Sequence, residues 1–288
     1  NIYYIKIPSH VKKIGEYAFE GCYKLHKIEF SDDSELKSIG KRAFCNLPIV
    51  SIAIPQSVES IGDSAFSNCK NLRQVVFAED SELRIIGTFA FSNSPLENLT
   101  IPPRVRKING FFANLRPENI IISPNNHNFK WIDDCFIVVK SNENIEEFDV
   151  LVYACFDIEQ IIIKSNIKTI EPYCFSKCSN LQNVIFDEDS QLTTISKYSF
   201  GYTHIQNIKI PQHVKYIGEY AFYNCSQLKT IEFSSNSELQ TIDQYAFEST
   251  SIETITLPQH LIAISNRLFS SCHHLQIIEF ASNSELQS

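Results

Sequence analysis

Apolar residues recur along the chain in a fixed order, with a phenylalanine at the same place in each repeat. This phenylalanine follows an alanine in most copies, and it stands at Phe19, Phe44, Phe66, Phe91, Phe112, Phe175, Phe200, Phe222, Phe247 and Phe269. Successive copies are 25, 22, 25 and 21 residues apart, and after an interruption 25, 22, 25 and 22. Two unit types therefore alternate, and a period of this length predicts a stack of similar modules.

The polar and apolar positions inside each unit predict its secondary structure. The long unit reads A-F-x-x-C-x-x-L-x-x-I-x-F-x-x-x-S-x-L-x-x-I-G, and the short unit ends in I-x-I-P followed by V-x-x-I-G. The triplets I-x-F and I-x-I indicate a short strand with one buried face, and proline ends this strand in the short units. The Gly, Asn, Ser or Asp after the last Ile favours a helix N-terminus, so about one helical turn is predicted to follow.

One such unit is too small to bury its apolar side, so the units must pack on one another. Adjacent strands then lie ~4.8 Å apart in one long parallel sheet. We count 12 strands between residues 5–7 and 278–280, which predicts a body roughly 55 Å long. The predicted fold class is a solenoid of about 12 stacked units, with the parallel sheet on its concave face, short helical turns on the other side and one inserted β-hairpin.

The repeat is interrupted between residues 113 and 160. The strands at 120–122 and 161–163 are 41 residues apart instead of 22 to 25. Two apolar runs, 136–139 and 150–153, flank the polar stretch 141–144 and predict a β-hairpin, and the insert also holds the only tryptophan, Trp131. The insert, 113–160, joins two repeat blocks, 1–112 and 161–288, within one continuous solenoid domain. Alternatively it also forms a contact site, since insertions tend to lie at functional edges.

The segments L-x-x-I-x-I-P and I-G-x-x-A-F-x-x-C resemble BspA-like leucine-rich repeats over nearly the whole chain, and look most like those of protozoan members. The resemblance implies a leucine-rich repeat solenoid without catalytic residues. It also implies a surface antigen, displayed at the cell surface or secreted, that adheres to host, matrix or cell-surface proteins. The alternative is an intracellular protein-interaction scaffold, which nine largely reduced cysteines would suit.

Composition excludes several other classes of protein. With 43% hydrophobic residues, 21 Phe and 12 Tyr among 288 residues, the chain does not have the composition of a disordered protein. A net charge of -8 and a pI near 5.5 argue against a nucleic-acid partner or an anionic membrane surface. The sequence contains no run of about 18 apolar residues, the length that predicts a membrane-spanning helix. No signal peptide is recognised.

The two ends of the sequence fall inside repeat units, and the chain contains no methionine. We therefore expect the natural protein to continue beyond this sequence. Uncapped solenoid ends expose core residues and an unpaired strand. End-to-end self-association of the chain is therefore also expected.

Most of the nine cysteines belong to the repeat. Five of them follow the repeat phenylalanine by three residues, namely Cys22, Cys69, Cys178, Cys225 and Cys272. Successive cysteines within one repeat block are two units apart, or ~9.6 Å. This distance exceeds the ~7 Å between Cα atoms beyond which a disulfide cannot form. Buried free thiols are therefore predicted at these positions. Cys174 fills an alanine position and is not expected to bridge to Cys178.

Cys135 and Cys155 differ from the repeat cysteines, because they face each other across the base of the predicted hairpin. A disulfide between them is geometrically possible there. Two free thiols are the interpretation that we favour, and the sequence leaves both states open. Because the total is odd, at least one thiol is free or pairs outside the chain.

No pattern typical of catalysis or metal binding is recognised. His10, His213 and His260 share one position after the strand-ending proline, where other units have Ser57 and Arg104, so it is most simply a solvated loop position. No H-E-x-x-H, G-x-S-x-G, P-loop or dinucleotide motif occurs.

The acidic loops 32–35, 79–82 and 187–190 would suit Ca²⁺ only with a full oxygen cage, and later copies replace the acids by Ser and Asn. We favour a solvated edge, and predict no enzyme activity, metal or cofactor.

A protein partner is expected to bind the strand residues that point out of the sheet. These residues are mostly small, polar and uncharged, without the aromatic and arginine anchors of tight interfaces. The candidate residues are Lys27, Glu29, Gln74, Asn98, Thr100, Asn183, Asn207, Lys209, Thr230, Glu232, Thr254 and Thr256. Such a face suits modest affinity at each site, which many copies on a surface would raise. The alternative is that this row is only the solvated face that every parallel solenoid sheet has.

Overall fold

The structure is a computed structural model that describes residues 2–110, 115–176 and 178–287, so the repeat phenylalanine Phe112 lies outside the described residues. The chain forms two compact units, Asn1–Asp134 and Cys135–Ser288. Each unit is a β-solenoid whose coils run through parallel strands, which confirms the predicted solenoid. The long strands form several sheets of two or four strands instead of the predicted single long sheet. The division into 1–112, 113–160 and 161–288 stays a prediction.

Each coil of the first unit contributes one long strand. These strands are Tyr4–Ile7, Lys27–Phe30, Ser51–Ile54, Gln74–Phe77, Leu99–Ile101 and Ile120–Ile122. Paired strands are parallel, and equivalent repeat residues lie opposite each other, as Ile5 does to Ile28. Because apolar and polar residues alternate, one side of each strand faces the core. Ile52 and Ile54 are buried on that side.

A second row of short strands, which the residue pattern did not predict, contains the isoleucine of the I-G pair. In the first unit these strands are Lys13–Ile14, Ser38–Ile39, Ser60–Ile61, Ile85–Ile86 and Lys107–Ile108, which form one parallel sheet. Gly40 N donates to Ile14 O of the previous coil at 2.9 Å. The residue after the isoleucine therefore ends a strand instead of capping a helix. The first unit also contains the 3₁₀ helix Pro117–Asn119 and the strand Phe129–Ile132.

The second unit begins with the predicted hairpin, whose strands Phe136–Val139 and Val150–Ala154 are antiparallel. Its long strands are Gln160–Ile163, Asn183–Phe186, Asn207–Ile210, Thr230–Phe233, Thr254–Leu257 and Ile277–Phe280. Its short strands are Thr169–Ile170, Thr194–Ile195, Tyr216–Ile217 and Thr241–Ile242, and the first of them pairs with Val150–Ala154. With six long strands described in each unit, the predicted number of 12 is confirmed.

In the described coils, the helical turn predicted after the I-G pair is replaced by two tight turns, as the coil of Phe44 shows. Phe44 N donates to Ala65 O of the next coil at 2.8 Å, whereas Cys45 N donates to Arg42 O of its own coil at 3.1 Å. In an α-helix each N–H group donates to the carbonyl of the fourth residue before it. Here every second N–H group donates to the next coil instead, so a helix cannot form. Arg42 and Asn46, one in each turn, adopt the left-handed conformation, with φ of 53° and 64°.

The repeat phenylalanines form a column of stacked rings inside each unit, as the inward position predicts. The ring centroids of Phe44 and Phe66 are 5.3 Å apart in the first unit, and those of Phe175 and Phe200 are 4.9 Å apart in the second. All four side chains are completely buried. Burying a phenylalanine stabilises a fold by about 1.5–3 kcal/mol, and each stacked pair adds about 0.5–1.5 kcal/mol. The column is therefore the centre of each core.

The repeat cysteines are free thiols, as predicted, but only Cys69, Cys178 and Cys225 are buried, whereas Cys22 and Cys272 are half-buried. Cys69 Sγ donates to Phe44 O at 3.2 Å, and Cys225 Sγ donates to Phe200 O at 3.1 Å. Burial raises the pKa of Cys69 and that of Cys225 to about 12. Both thiols are therefore protonated and unreactive at neutral pH, and their role is to bond the carbonyl of the neighbouring coil. Cys174 is also free and buried.

The favoured interpretation of Cys135 and Cys155 as free thiols is wrong. The two cysteines form a disulfide, with Cα atoms 5.2 Å apart. Cys155 N donates to Cys135 O at 3.0 Å. The backbone pairing of the hairpin therefore continues to its base and brings the two side chains together, so the bridge closes the hairpin covalently.

We expect the substitution Gly62→Ala to destabilise the protein. A Cβ atom at Gly62 would lie 2.7 Å from backbone atoms of Gly40 and Lys41, and relieving overpacking of this kind costs about 1–3 kcal/mol. Denaturant unfolding followed by circular dichroism measures the loss. Gly15→Ala is the matched control, because a Cβ atom there meets nothing within 4 Å, and it should be neutral or stabilise by up to about 1 kcal/mol. Equal losses in both variants would contradict this account of the packing.

Alkylation of the unfolded but unreduced chain should label seven of its nine cysteines, because Cys135 and Cys155 are bridged. Intact mass spectrometry counts the labels. Reduction before alkylation should raise the count to nine, which serves as the control for complete labelling. Nine labels without reductant would show that the disulfide does not form.

Candidate protein-interaction surface

The long strands of each unit present a row of outward side chains, called here the long-strand face. All twelve residues predicted to contact a partner lie on it or directly beside it, and each is exposed or half-buried. Those of the first unit are Lys27, Glu29, Gln74, Asn98 and Thr100, and those of the second are Asn183, Asn207, Lys209, Thr230, Glu232, Thr254 and Thr256. Strand alternation selects them, since Asn207 and Lys209 are exposed while Ile208 between them is buried.

Charged groups on the long-strand face of the first unit interact with one another. Lys27 Nζ lies 2.5 Å from Glu29 Oε1, and Tyr4 Oη donates to Glu29 Oε2 at 2.7 Å. The Lys27 ammonium, assisted by the Tyr4 hydroxyl, lowers the pKa of Glu29. Lys6 lies opposite Glu29 and is exposed, so this part of the face offers a partner an ion pair together with one further positive charge.

The long-strand face of the second unit carries short polar side chains that bond to each other across coils. Asn207 lies opposite Asn183 on one side and Thr230 on the other, and Thr230 Oγ1 donates to Asn207 Oδ1 at 2.6 Å. Thr256 Oγ1 donates to Glu279 Oε2 at 3.2 Å. These bonds order the side chains before any ligand arrives, which lowers the entropic cost of binding.

This face also has an apolar part, which the twelve candidate residues do not include. In the second unit Ile162 and Ile185 lie opposite each other in neighbouring strands, and they are 50% and 52% exposed. In the first unit Val76 and Ile121 point outward and are 45% and 48% exposed. The signal was in the sequence, because residues 120–122 and 161–163 are three consecutive isoleucines instead of I-x-I. Clustered apolar side chains at the surface are typical of binding sites.

The acidic loops follow the long strands and line open clefts. In the first unit one such cleft, about 1070 Å³ in volume, is lined by residues that include Phe30, Asp33 and Gln56. Gln56 Nε2 donates to Asp80 Oδ2 at 2.6 Å. Among the described residues, no group of three or more His, Cys, Asp or Glu side chains could hold a metal ion. The loops thus form a polar rim beside the long-strand face.

Two of the repeat histidines pair with an acidic residue of the next coil. His213 Nδ1 lies 2.8 Å from Glu238 Oε1, and His260 Nδ1 lies 2.9 Å from Glu285 Oε1. The hydrogen bond with His213 is the main cause that lowers the pKa of Glu238. His10 is exposed at the equivalent position, as the sequence analysis predicts. The sequence showed the shared position but not the partner, which lies 25 residues further along.

The hairpin of the second unit carries a polar loop, residues 141–148, that is held by a buried carboxylate. Asp149 accepts hydrogen bonds from Ser141 N at 2.8 Å and Ser141 Oγ at 2.9 Å, and Lys168 Nζ lies 3.5 Å away. Lys140 Nζ lies over the Phe148 ring at 5.4 Å from its centroid. The predicted hairpin is confirmed, and its role as a contact site stays a prediction.

The sequence matches a family model described as BspA type leucine rich repeat region. The match comprises six copies and covers residues 1–116, 125–203 and 193–287. No curated protein matches the chain. Within the described ranges, no helix has the length and apolar character needed to cross a membrane.

Several solved structures have a similar fold. One of them is the pneumococcal vaccine antigen PcpA, which is 25% identical to this chain. The match covers 99% of this chain and 69% of PcpA, with a TM-score of 0.72. A leucine-rich repeat protein from Eubacterium ventriosum is 21% identical, with 89% and 73% covered and a TM-score of 0.62. A leucine rich cell surface protein from Faecalibacterium prausnitzii is 20% identical, with 98% and 79% covered and a TM-score of 0.58. The likeness to protozoan members stays a prediction.

Replacing His213 by Ala should raise the pKa of Glu238 towards its ordinary value, because the bond that mainly lowers it is lost. A carboxylate of lowered pKa stabilises the fold above its unfolded pKa and loses that contribution as the pH falls through its folded pKa. The stability difference between parent and variant should therefore be present at neutral pH and disappear in acid.

A carboxyl NMR titration of Glu238 measures this shift directly. His10→Ala is the control, since it changes the equivalent loop position of the other unit and should leave the pKa of Glu238 unchanged. An unaltered Glu238 titration in His213→Ala would show that the hydrogen bond does not form in solution.

Proposed function

The chain belongs to the family of BspA-type leucine-rich repeat proteins, and we propose that it mediates adhesion or recognition at a cell surface or after secretion. Leucine-rich repeat solenoids generally act as non-catalytic scaffolds for protein interaction. The proposed ligand is a host, matrix or cell-surface protein, bound on the long-strand face. The observation that carries the proposal is the pair Ile162 and Ile185, which lie opposite each other and half-exposed in neighbouring strands.

The fold does not require apolar residues at the positions of Ile162 and Ile185. The following coils of the second unit place Lys209, Glu232 and Thr256 at the equivalent outward position. Covering the exposed half of one isoleucine contributes roughly 1 kcal/mol. A protein partner that covers the pair would therefore gain free energy that the isolated chain cannot.

The surroundings of the pair favour modest affinity for a single copy. Asn183 and Lys209 flank it in the strand register and can hydrogen-bond to a flat or extended protein surface. The twelve predicted contact residues include no aromatic side chain or arginine, which usually dominate tight interfaces. Display of many copies on one surface would raise the overall avidity without a new contact.

The disulfide between Cys135 and Cys155 supports an extracellular location over the intracellular alternative. Disulfides persist in secreted and surface proteins and are rare in the cytosol. The free thiols do not favour either compartment, because they are buried or half-buried in repeat positions, where Cys69 and Cys225 bond to backbone carbonyls. The similarity to the pneumococcal antigen PcpA is in line with surface display.

The proposal is tested with the double variant Ile162→Thr/Ile185→Thr, in which a β-branched side chain is retained in the strand. Binding of the purified chain to immobilised matrix proteins and to intact cells is measured by surface plasmon resonance and by an adhesion assay. We expect the parent to bind at least one of these surfaces. The variant should bind roughly 30-fold more weakly, since two contacts of about 1 kcal/mol are lost.

Ile264→Thr is the matched control, because Ile264 is also 43% exposed but lies outside the long strands. It should bind like the parent, and circular dichroism should show all three proteins folded. Equal binding by the parent and the double variant would refute a role for the apolar pair. No binding of the parent to any matrix protein or cell would count against adhesion as the function.

A further inference from the structure

Four tyrosines occupy the same turn position in successive coils of the second unit. They are Tyr173, Tyr198, Tyr220 and Tyr245, called here the tyrosine column. All four adopt left-handed backbone conformations, with φ between 52° and 64°. All are half-buried, so part of each ring reaches solvent. The surface of the unit that these tight turns form is called here the turn side.

The rings of the tyrosine column stack face to face. Their centroids are 5.2 Å apart from Tyr173 to Tyr198, 4.6 Å from Tyr198 to Tyr220 and 4.7 Å from Tyr220 to Tyr245. Neighbouring planes are tilted by 11° or 12°. Tyr223 meets Tyr198 and Tyr220 edge-on, at 5.8 and 5.4 Å. The coil spacing of ~4.8 Å imposes this stacking once each coil has a tyrosine there.

The fold does not require tyrosine at this turn position. In the first unit the equivalent residues are Tyr17, Arg42, Ser64 and Phe89, all at positive φ. A left-handed backbone costs a residue with a Cβ atom about 1–2 kcal/mol, and Gly or Asn adopts it more readily. Backbone geometry therefore does not explain why four phenols are brought together in successive coils.

We propose that the tyrosine column is a site of oxidative cross-linking, at which a haem peroxidase with hydrogen peroxide couples tyrosines of neighbouring coils to dityrosine. Each of two phenols loses one electron and one proton. The two phenoxyl radicals then form one C–C bond between ring carbons adjacent to the hydroxyl-bearing carbons. A proton moves from each bonded carbon to its oxygen, which restores both hydroxyls. One hydrogen peroxide takes up the two electrons and two protons and becomes two water molecules.

Stacking favours coupling within one chain over coupling between molecules. A radical on Tyr220 has the rings of Tyr198 and Tyr245 within 4.7 Å, so it meets a partner without diffusion. Partial exposure of the rings lets an oxidant remove an electron. Desolvation raises the pKa of Tyr198 and of Tyr220, so both hydroxyls are protonated at neutral pH and the proton leaves together with the electron. Coupling then requires the two rings to turn until their ortho carbons meet, since the stacked centroids are 4.6 or 4.7 Å apart.

Dityrosine between Tyr198 and Tyr220, or between Tyr220 and Tyr245, would fasten adjacent coils on their turn side. The turn side is otherwise held by non-covalent contacts, such as the hydrogen bonds from Tyr220 N to Gln244 O and from Gln244 Nε2 to Glu219 Oε1. A covalent bond there would raise the temperature at which the second unit unfolds. This inference does not depend on the proposed ligand or on the long-strand face.

The test treats the purified chain, at low concentration, with a haem peroxidase and limiting hydrogen peroxide. We expect dityrosine fluorescence in the monomer and a mass loss of two hydrogen atoms for each cross-link. Peptide mapping should join Tyr198 to Tyr220 or Tyr220 to Tyr245. The variant Tyr220→Phe should lose both of these cross-links, and circular dichroism should show it folded, because Phe89 occupies the same turn position at a φ of 57°.

Accessibility alone predicts a different product from the same reaction. Tyr23 and Tyr3 are 73% and 58% exposed, more than any residue of the tyrosine column, and Tyr3 stacks on His26 instead of a tyrosine. Cross-links that join Tyr23 or Tyr3 between molecules, with the column unmodified, would overturn the proposal. Undiminished dityrosine in the monomer of Tyr220→Phe would overturn it as well.

Discussion

Backbone hydrogen bonds between coils hold each unit together, and they set the spacing of ~4.8 Å on which the other contacts depend. They form parallel ladders along the strands, and they continue on the turn side, where Phe44 N donates to Ala65 O. Side chains at equivalent positions are therefore brought to stacking distance, whether they lie inside the core, as Phe44 does, or on the turn surface, as Tyr198 does. The same spacing leaves no room for a Cβ atom at Gly62.

This constraint separates the positions that folding determines from those that are free to vary. Inward positions accept side chains that fill the space between coils, such as the fully buried Phe175 and Phe200. Outward positions are under no such limit, since Ile185, Lys209 and Glu232 follow one another at the same place in successive coils. Residues whose identity packing does not explain are therefore the best indication of function, and this leads to the apolar pair and to the tyrosine column.

The hairpin of the second unit is stabilised by a different set of interactions from the repeats. Its strands are antiparallel, its base is closed by the Cys135–Cys155 disulfide, and its loop is bonded to the buried carboxylate of Asp149. Lys168 from the following coil balances that charge at 3.5 Å, which matters because an unpaired carboxylate at this depth would be costly. The hairpin thus joins the second unit through its short-strand sheet while its loop remains outside the repeat pattern.

The sequence by itself determined the solenoid, its long strands, the inward phenylalanines and the free repeat thiols, because the spacing of apolar residues within one unit is a local property of the chain. It did not determine that the turns replace a helix, because that choice depends on competition between a carbonyl of the same coil and one of the next. It placed Cys135 and Cys155 on opposite sides of the hairpin base without deciding that they form a bridge, and it did not reveal the His213–Glu238 pair or the stacking of tyrosines. These partners are 20 to 25 residues apart, and they become neighbours only when the chain has folded back and each coil lies against the one before it.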